Sequence, residues 1–246
     1  MQSVNVLCIK WGRKYGPDYV NRLHSMVSRH LRRPFRFVCL TDDGSGIDPA
    51  IEVKPIPAIG FAEFDDRKPW TFGHGWLKLT SFANPLYDLT GTTLFLDLDI
   101  VIVDSLDPFF DHPGEFVVIR EWDKKDGTGN TSVYRFTIGA HADALDHLRT
   151  GYPQAVEAVR NEQEFITGYL GRQGKVSYWP DEWCRSFKRH CLRRGLMGWF
   201  APPVIPPGAR VIAFHGKPNP PDAIAGVSGK WYRRVLPTPW VAEHWR

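Results

Sequence analysis

The sequence has no long hydrophobic run, few cysteines and no strong excess of either charge. No uninterrupted stretch approaches the ~20 apolar residues that a membrane-spanning helix needs. Four cysteines are too few for a disulfide framework, and Cys8 and Cys39 lie in apolar runs, which indicates small buried side chains and a reducing compartment. The 31 basic and 27 acidic residues give a formal charge of +4. That balance suits anionic ligands but excludes a dedicated nucleic-acid binder.

Residues 1–5 also lack the basic and apolar segments of a secretion signal. We therefore expect a cytoplasmic protein with no transmembrane segment, with a peripheral position at a membrane as the alternative. Hydrophobic residues make up 43% and charged residues 24% of the 246, enough to bury a core. No repeat or linker divides the chain, so a single domain over 1–246 is predicted. The 10 tryptophans serve either core packing or flat apolar faces such as sugar rings.

Short apolar runs alternate with amphipathic segments in the first half of the chain. Strands are predicted at 4–9, 35–40, 51–56 and 92–103, with helices from residue 17 and over 76–82. The second half is less regular, with strands predicted at 132–138 and 211–214 and helices near 142–148 and 162–170. This order predicts an α/β fold with a mainly parallel, mixed sheet flanked by helices.

Two carboxylates interrupt the most apolar stretch of the sequence. Asp97 and Asp99 stand within residues 94–101, where an unpaired charge would cost several kcal/mol to bury. In a strand, residues two apart share one face and lie ~6.5 Å apart, so both acids can converge on one hard cation. The carboxyl ends of parallel strands are also where open α/β sheets bind ligands. Exposed edge-strand acids, or a salt-bridged core pair, are the alternatives.

These acids belong to a series of short motifs along the chain. The segments are Gly75-Trp76-Leu77-Lys78-Leu79, Phe95-Leu96-Asp97-Leu98-Asp99, Leu106-Asp107-Pro108-Phe109-Phe110, Gly129-Asn130-Thr131-Ser132-Val133-Tyr134, Asn161-Glu162-Gln163-Glu164 and Phe214-His215-Gly216-Lys217-Pro218. Each segment is weak alone, but in this order they resemble the motifs of the glycogenin-like family 8 glycosyltransferases, and the chain resembles a small, bacterial-type member. The resemblance implies a GT-A fold, a Rossmann-like nucleotide-diphospho-sugar transferase domain.

The resemblance also implies a divalent metal, Mn²⁺ or Mg²⁺, at the leaving diphosphate. Asp97 and Asp99 would supply oxygen ligands and His215 the third protein ligand; mixed carboxylate and imidazole ligation suits Mn²⁺. An ordinary hydrogen-bonded histidine is the alternative for His215. Gly216 would let the backbone approach the ligand, and Lys217 would add a charge for phosphate.

Further nucleotide and phosphate contacts are expected from Tyr15, Lys78 and Asp97. Lys78 would bind phosphate or donor sugar, unless it is a solvated helix lysine. Tyr15 would stack on a nucleobase, unless it packs against the first helix.

The sugar itself is assigned to three further residues. Asn130 has an amide that can bind sugar hydroxyls, with a turn residue at a strand entry as the alternative. Glu162 and Gln163 begin a helix, where acids often only complement the dipole. The resemblance implies instead that both face the reacting carbon, with Glu162 able to act as a transient nucleophile in a configuration-retaining transfer.

The function predicted is a metal-dependent transfer of a hexose from a UDP-sugar to an unknown glycan, lipid-linked or small-molecule acceptor. Residues 1–103 would bind the nucleotide, 104–220 would carry the acceptor and catalytic half, and 221–246 would form a tail. Two alternatives remain. One is a haloacid-dehalogenase-like phosphatase that uses Asp97-Leu98-Asp99, a D-x-D motif, and the other is a catalytically silent sugar- or nucleotide-binding protein. One basic run would meet an anionic acceptor or be a solvated face; it comprises Arg185, Lys188, Arg189, His190, Arg193 and Arg194.

Overall fold

The computed structural model describes residues 3–60, 75–151, 154–193, 200–229 and 234–246, and Arg194 lies outside this range. Its strands are β1 (Val4–Lys10), β2 (Phe35–Thr41), β3 (Glu52–Pro55), β4 (Thr92–Leu96), β5 (Ile100–Ile102), β6 (Phe116–Arg120), β7 (Gly129–Thr137), β8 (Val176–Tyr178), β9 (Cys184–Ser186) and β10 (Val211–Ala213). Its α-helices are α1 (Pro17–His30), α2 (Asp107–Asp111), α3 (Ala142–Gly151), α4 (Gln154–Glu157), α5 (Glu162–Arg172), α6 (Pro220–Ala225) and α7 (Pro239–His244). A 3₁₀ helix covers Trp76–Phe82, where a helix is predicted.

The main sheet has seven strands in the order β3-β2-β1-β4-β7-β6-β8. Strands β3, β2, β1 and β4 run parallel to one another, and β8 runs parallel to β6. Only β7 is antiparallel to its neighbours in this sheet, β4 and β6. The carboxyl ends of β4, β6 and β8 therefore meet the amino end of β7 at one edge, where open α/β sheets bind ligands.

Two apolar layers cover the faces of this sheet. On one face α1 buries Val20, Leu23, Met26 and Val27, the stripe expected from its helical period, and Pro17 occupies its first turn. On the other face the 3₁₀ helix, α3 and α5 pack over Phe95 and its neighbours. All residues of β1 are buried, as expected for a parallel strand covered on both sides. The mixed α/β single domain predicted from the sequence is confirmed.

The prediction of one strand over 92–103 is wrong. The chain leaves the main sheet after Leu96, turns through Asp97-Leu98-Asp99, and continues as β5 in a separate three-stranded sheet with β10 and β9. The residues on both sides of the acids, 94–96 and Ile100–Ile102, are apolar and buried, so the pattern could not show that they belong to different sheets. The two acids thus flank a turn at the end of β4 and do not share a strand face.

Other elements were not predicted. Strands β6, β8 and β9 and helices α2, α6 and α7 are short, and most of them contain too few residues to show a period. The tail does not stand apart: Arg22 of α1 donates to the carbonyl oxygen of Trp245 at 2.9 Å. Within the described ranges, no helix combines the length and the apolar character that crossing a bilayer requires.

Candidate active site

The acids of the D-x-D turn sit at the carboxyl end of β4. The backbone N–H of Asp97 donates to the carbonyl oxygen of Ser132 in β7 at 2.9 Å, which ties the turn to the neighbouring strand. The next residue, Leu98, is buried and anchors the turn between the two carboxylates. This arrangement aims both acids at the sheet edge where ligands are expected.

Lys78 forms the centre of the site. Its Nζ lies 2.8 Å from the Asp97 carboxylate and 3.8 Å from Glu162 Oε1. Its side chain is only 11% exposed, so it is not a solvated helix lysine. Burial alone would lower the pKa of Lys78. The negative charges of Asp97 and Glu162 together have a larger effect in the opposite direction, so the pKa of Lys78 is raised above its usual value. Lys78 is thus a buried cation that holds two predicted site acids together.

Asp99 has a different environment from Asp97. Burial, together with the charge of Asp97, raises the pKa of Asp99 to about 6. The hydroxyl of Tyr15 donates to Asp99 Oδ2 at 2.7 Å and opposes this shift in part. Tyr15 also packs on Tyr19 of α1, with ring centroids 4.7 Å apart. Tyr15 therefore packs against the first helix, and its stacking on a nucleobase stays a prediction.

Helix α5 delivers Glu162 and Gln163 to the same place. Asn161 caps the helix by accepting from the N–H of Glu164 at 3.0 Å. Thr131 of β7 then connects both residues: its hydroxyl donates to Glu162 Oε1 at 3.2 Å, and its N–H donates to Gln163 Oε1 at 2.8 Å. Glu162 is buried, with 8% of its surface exposed, so these contacts fix its carboxylate beside Lys78.

Gly75 leaves the space that the Glu162 carboxylate occupies. A Cβ built on Gly75 would lie 2.1 Å from Glu162 Oε2, far inside van der Waals contact. The sequence places Gly75 next to the Lys78 helix but does not show why a glycine is needed there. Gly75 and Thr131 are the contacts that sequence reasoning missed, because each acts only through a residue distant in the chain.

Asn130 is buried beside this group, with 5% exposure. Its Oδ1 accepts from the N–H of Ser132 at 3.0 Å, and its Nδ2 donates to Glu121 Oε2 at 3.3 Å. Both ends of the amide therefore have protein partners. Its sugar-binding role stays a prediction.

His215 reaches the site through the second sheet. The backbone N–H of Phe214 donates to the carbonyl oxygen of Asp99 at 2.9 Å, which brings His215 next to the D-x-D turn. Its Nε2 lies 2.7 Å from Ser186 Oγ, and its ring stacks on Trp122 at 5.4 Å between centroids. Metal ligation by this ring stays a prediction.

The two residues after His215 are less enclosed. Gly216 has a φ of 70°, a left-handed conformation that favours glycine. The Lys217 side chain is 59% exposed, and its Nζ lies 3.4 Å from Asp222 Oδ2. Lys217 is thus able to move toward a ligand, and its diphosphate contact stays a prediction.

Asp97 and Asp99 are the side chains of this site best suited to a divalent cation. Among the described residues, no three His, Cys, Asp or Glu side chains are grouped so as to hold a metal ion. The two carboxylates nevertheless fit one, because the charge of Asp97 raises the pKa of Asp99 and a cation between them would relieve that repulsion. For His215 to join them, its ring must exchange the Ser186 contact for the metal.

No protein-family model matches the sequence, and no curated protein matches it. Solved structures do match. Galactosyltransferase LgtC, in complex with donor and acceptor sugar analogs, superposes with a TM-score of 0.58 at 14% identity, over 88% of this chain and 88% of that chain. A second LgtC structure is an active-site variant with glutamate in place of glutamine. It gives a TM-score of 0.54 at 14% identity, over 88% of this chain and 89% of its own.

These neighbours identify the architecture. The seven-stranded mixed sheet flanked by helices is the GT-A glycosyltransferase fold. The fold predicted from the sequence motifs is confirmed.

Proposed function

We propose that the protein is a metal-dependent glycosyltransferase that moves a hexose from a UDP-sugar to an acceptor with retention of configuration. One observation carries this proposal. Lys78 Nζ joins Asp97 of the D-x-D turn to Glu162 at the start of α5, at 2.8 Å and 3.8 Å, in a chain with the GT-A fold. The predicted phosphate side and the predicted sugar side of the site therefore meet at one buried cation.

Asp97, Asp99 and His215 are the proposed ligands of Mn²⁺ or Mg²⁺. When bound, the cation would offset the negative charge that develops on the leaving diphosphate. The residues contribute two hard oxygen ligands and one imidazole. Tyr15 fixes the orientation of Asp99 through its 2.7 Å hydrogen bond, as partners of ligating carboxylates commonly do.

The remaining charges would serve the diphosphate and the nucleotide. Lys78 and Lys217 are proposed to donate to phosphate oxygens, where a charge-assisted hydrogen bond is strongest. Gly216 would let the backbone approach the phosphates, and Tyr15 would border the base. Residues 1–103 then form the nucleotide half, 104–220 the acceptor and catalytic half, and 221–246 the tail.

Glu162, Gln163 and Asn130 are proposed to face the donor sugar. The bond from the anomeric carbon to the diphosphate oxygen breaks and its electron pair leaves with UDP. A bond from the anomeric carbon to the acceptor oxygen forms as that hydroxyl passes its proton to the leaving diphosphate. The buried Glu162 carboxylate can stabilise positive charge on the anomeric carbon or attack it transiently. An active-site glutamine also occurs in the neighbour LgtC, which supports a role for Gln163.

The test is release of UDP from a panel of UDP-hexoses with Mn²⁺ or Mg²⁺, compared with release of phosphate from phosphoesters. We expect UDP release that stops in excess chelator and returns with Mn²⁺. Phosphate release from phosphoesters would favour the phosphatase alternative. Binding of UDP-sugars without any turnover, even with acceptor mixtures, would favour a silent binding protein. Undiminished UDP release in excess chelator would contradict the metal requirement.

A further inference from the structure

A cavity of about 240 Å³ lies beside the candidate site, at the same edge of the main sheet. It lies between the carboxyl ends of β6 and β8 and the start of β9. Its lining includes Trp122, Trp179, Arg120, Arg185, Glu121 and His190.

Two residues of the cavity lining, Trp122 and Glu121, contact residues of the candidate site. Trp122 stacks on His215 at 5.4 Å between ring centroids. Glu121 accepts from Asn130 Nδ2 at 3.3 Å. A molecule in the cavity would therefore lie next to the proposed metal ligand and the proposed sugar-binding amide.

The cavity wall also carries two acids and a lysine: Glu121, the exposed Asp181 and Lys124. Glu121 accepts from the N–H of Trp122 at 2.9 Å with one carboxylate oxygen and from Asn130 with the other. Lys124 forms an ion pair with Glu164. The Lys124 charge is therefore compensated, and Glu121 has both carboxylate oxygens hydrogen-bonded within the protein.

The two arginines are not engaged in this way. Arg185 Nε is buried and has no hydrogen-bond partner, which is a costly state for a guanidinium nitrogen. Arg120 lies over the ring of Tyr178 at 3.9 Å, a contact that leaves its donors available. Among the described residues, neither arginine forms an ion pair with a carboxylate. The cavity thus carries two arginines without an ion-pair partner, in the same wall as the carboxylates of Glu121 and Asp181.

We propose that this cavity is an acceptor subsite for a sugar that carries an anionic group, a carboxylate or a phosphate. Arg185 binds the anion, with Arg120 assisting, because a guanidinium matches the geometry of both oxyanions. The indole of Trp122 provides an apolar surface of the kind that sugar rings pack on. The proposal rests on the proposed function, since only a transferase uses a sugar acceptor at this position.

The test compares matched neutral and anionic sugars as ligands of the full chain by titration calorimetry. Methyl glucuronide is paired with methyl glucoside, and glucose 6-phosphate with glucose. We expect at least one anionic sugar to bind about tenfold or more tightly than its neutral partner, with the tighter one identifying the anion. Arg185→Gln should weaken the binding of that anionic sugar about 10- to 100-fold, the scale of one charge-assisted hydrogen bond. Arg120→Gln should weaken binding less.

Arg172→Gln is the matched control, because Arg172 is exposed on α5 and lines no part of this cavity. Equal binding of neutral and anionic sugars, or an equal loss in the Arg172 and Arg185 variants, would overturn the proposal. Inorganic phosphate binding as tightly as glucose 6-phosphate would also overturn it, since the cavity would then recognise an anion without a sugar.

Hydrolysis of the donor by water separates this proposal from the proposed function. That reaction needs no acceptor, so it reports on the donor site alone, and the Arg172→Gln control should hydrolyse UDP-sugar at the wild-type rate. If the wild type hydrolyses no donor but binds anionic sugars through Arg185, the transferase assignment fails and the anionic-sugar site stands. If it hydrolyses donor but shows no preference for anionic sugars, only the subsite fails.

Discussion

Replacing Asp99 with Asn should make the metal-free protein more stable at neutral pH. Burial and the charge of Asp97 raise the pKa of Asp99 from 3.8 to about 6, so the folded state holds this proton more tightly than the unfolded chain. Above pH 6 folding must keep an unfavourable charge at this position. At 1.36 kcal/mol for each pKa unit, that charge costs up to about 3 kcal/mol. An asparagine carries no charge, and its amide oxygen can still accept from Tyr15.

The sign of the pH dependence follows from the raised pKa. The Asp99 contribution to wild-type stability should become less unfavourable as the pH falls from above 6 toward 4, because Asp99 becomes protonated in the folded state first. The advantage of Asp99→Asn should therefore be largest near pH 8 and disappear near pH 4. Urea unfolding followed by tryptophan fluorescence, with a chelator present, measures this difference. Asp146→Asn is the matched control, since the Asp146 side chain is 68% exposed and its loss should change little.

Adding Mn²⁺ should reverse the order of the two proteins. A ligand that binds only the folded state stabilises it by an amount that grows with the logarithm of its concentration. Wild type has both carboxylates and should gain more from Mn²⁺ than Asp99→Asn. If the Asn variant is no more stable than wild type at pH 8, or if its advantage is the same at pH 4 and pH 8, the electrostatic argument is refuted.

The remaining predictions concern the residues around this turn. Lys78→Met should destabilise the fold by about 3–5 kcal/mol in urea unfolding, because Asp97 and Glu162 lose their buried cation; an unchanged midpoint would contradict the central role of Lys78. Gly75→Ala should lower kcat by displacing the Glu162 carboxylate, whereas Gly171→Ala, where a Cβ meets nothing within 4 Å, should leave kcat unaltered. Lys217→Ala should cost about 1.5–3 kcal/mol of transition-state stabilisation, mostly in kcat. Its thermal stability should barely change, because that side chain is 59% exposed; unaltered kinetics would place Lys217 outside the reaction.

The sequence was most informative about features that depend on the spacing of residues within one short segment. The apolar residues of β1 and the buried stripe of α1 lie at spacings that follow from strand and helix geometry. The D-x-D pair stands out for a similar reason, since two acids in an apolar run require a compensating partner. The order of the motifs was also sufficient to predict the GT-A fold, which the LgtC structures share.

Contacts between distant segments were decided by the tertiary structure. An apolar pattern does not encode its hydrogen-bonding partner, so the division of 92–103 between two sheets followed only from the pairing of β5 with β10. The buried state of Lys78 likewise depends on Glu162, a residue 84 positions away that α5 brings within 3.8 Å. The orientation of His215 depends on Ser186 and Trp122. Periodicity and the cost of buried charge are properties of a short segment, whereas the partner that compensates a charge is chosen by how the whole chain packs.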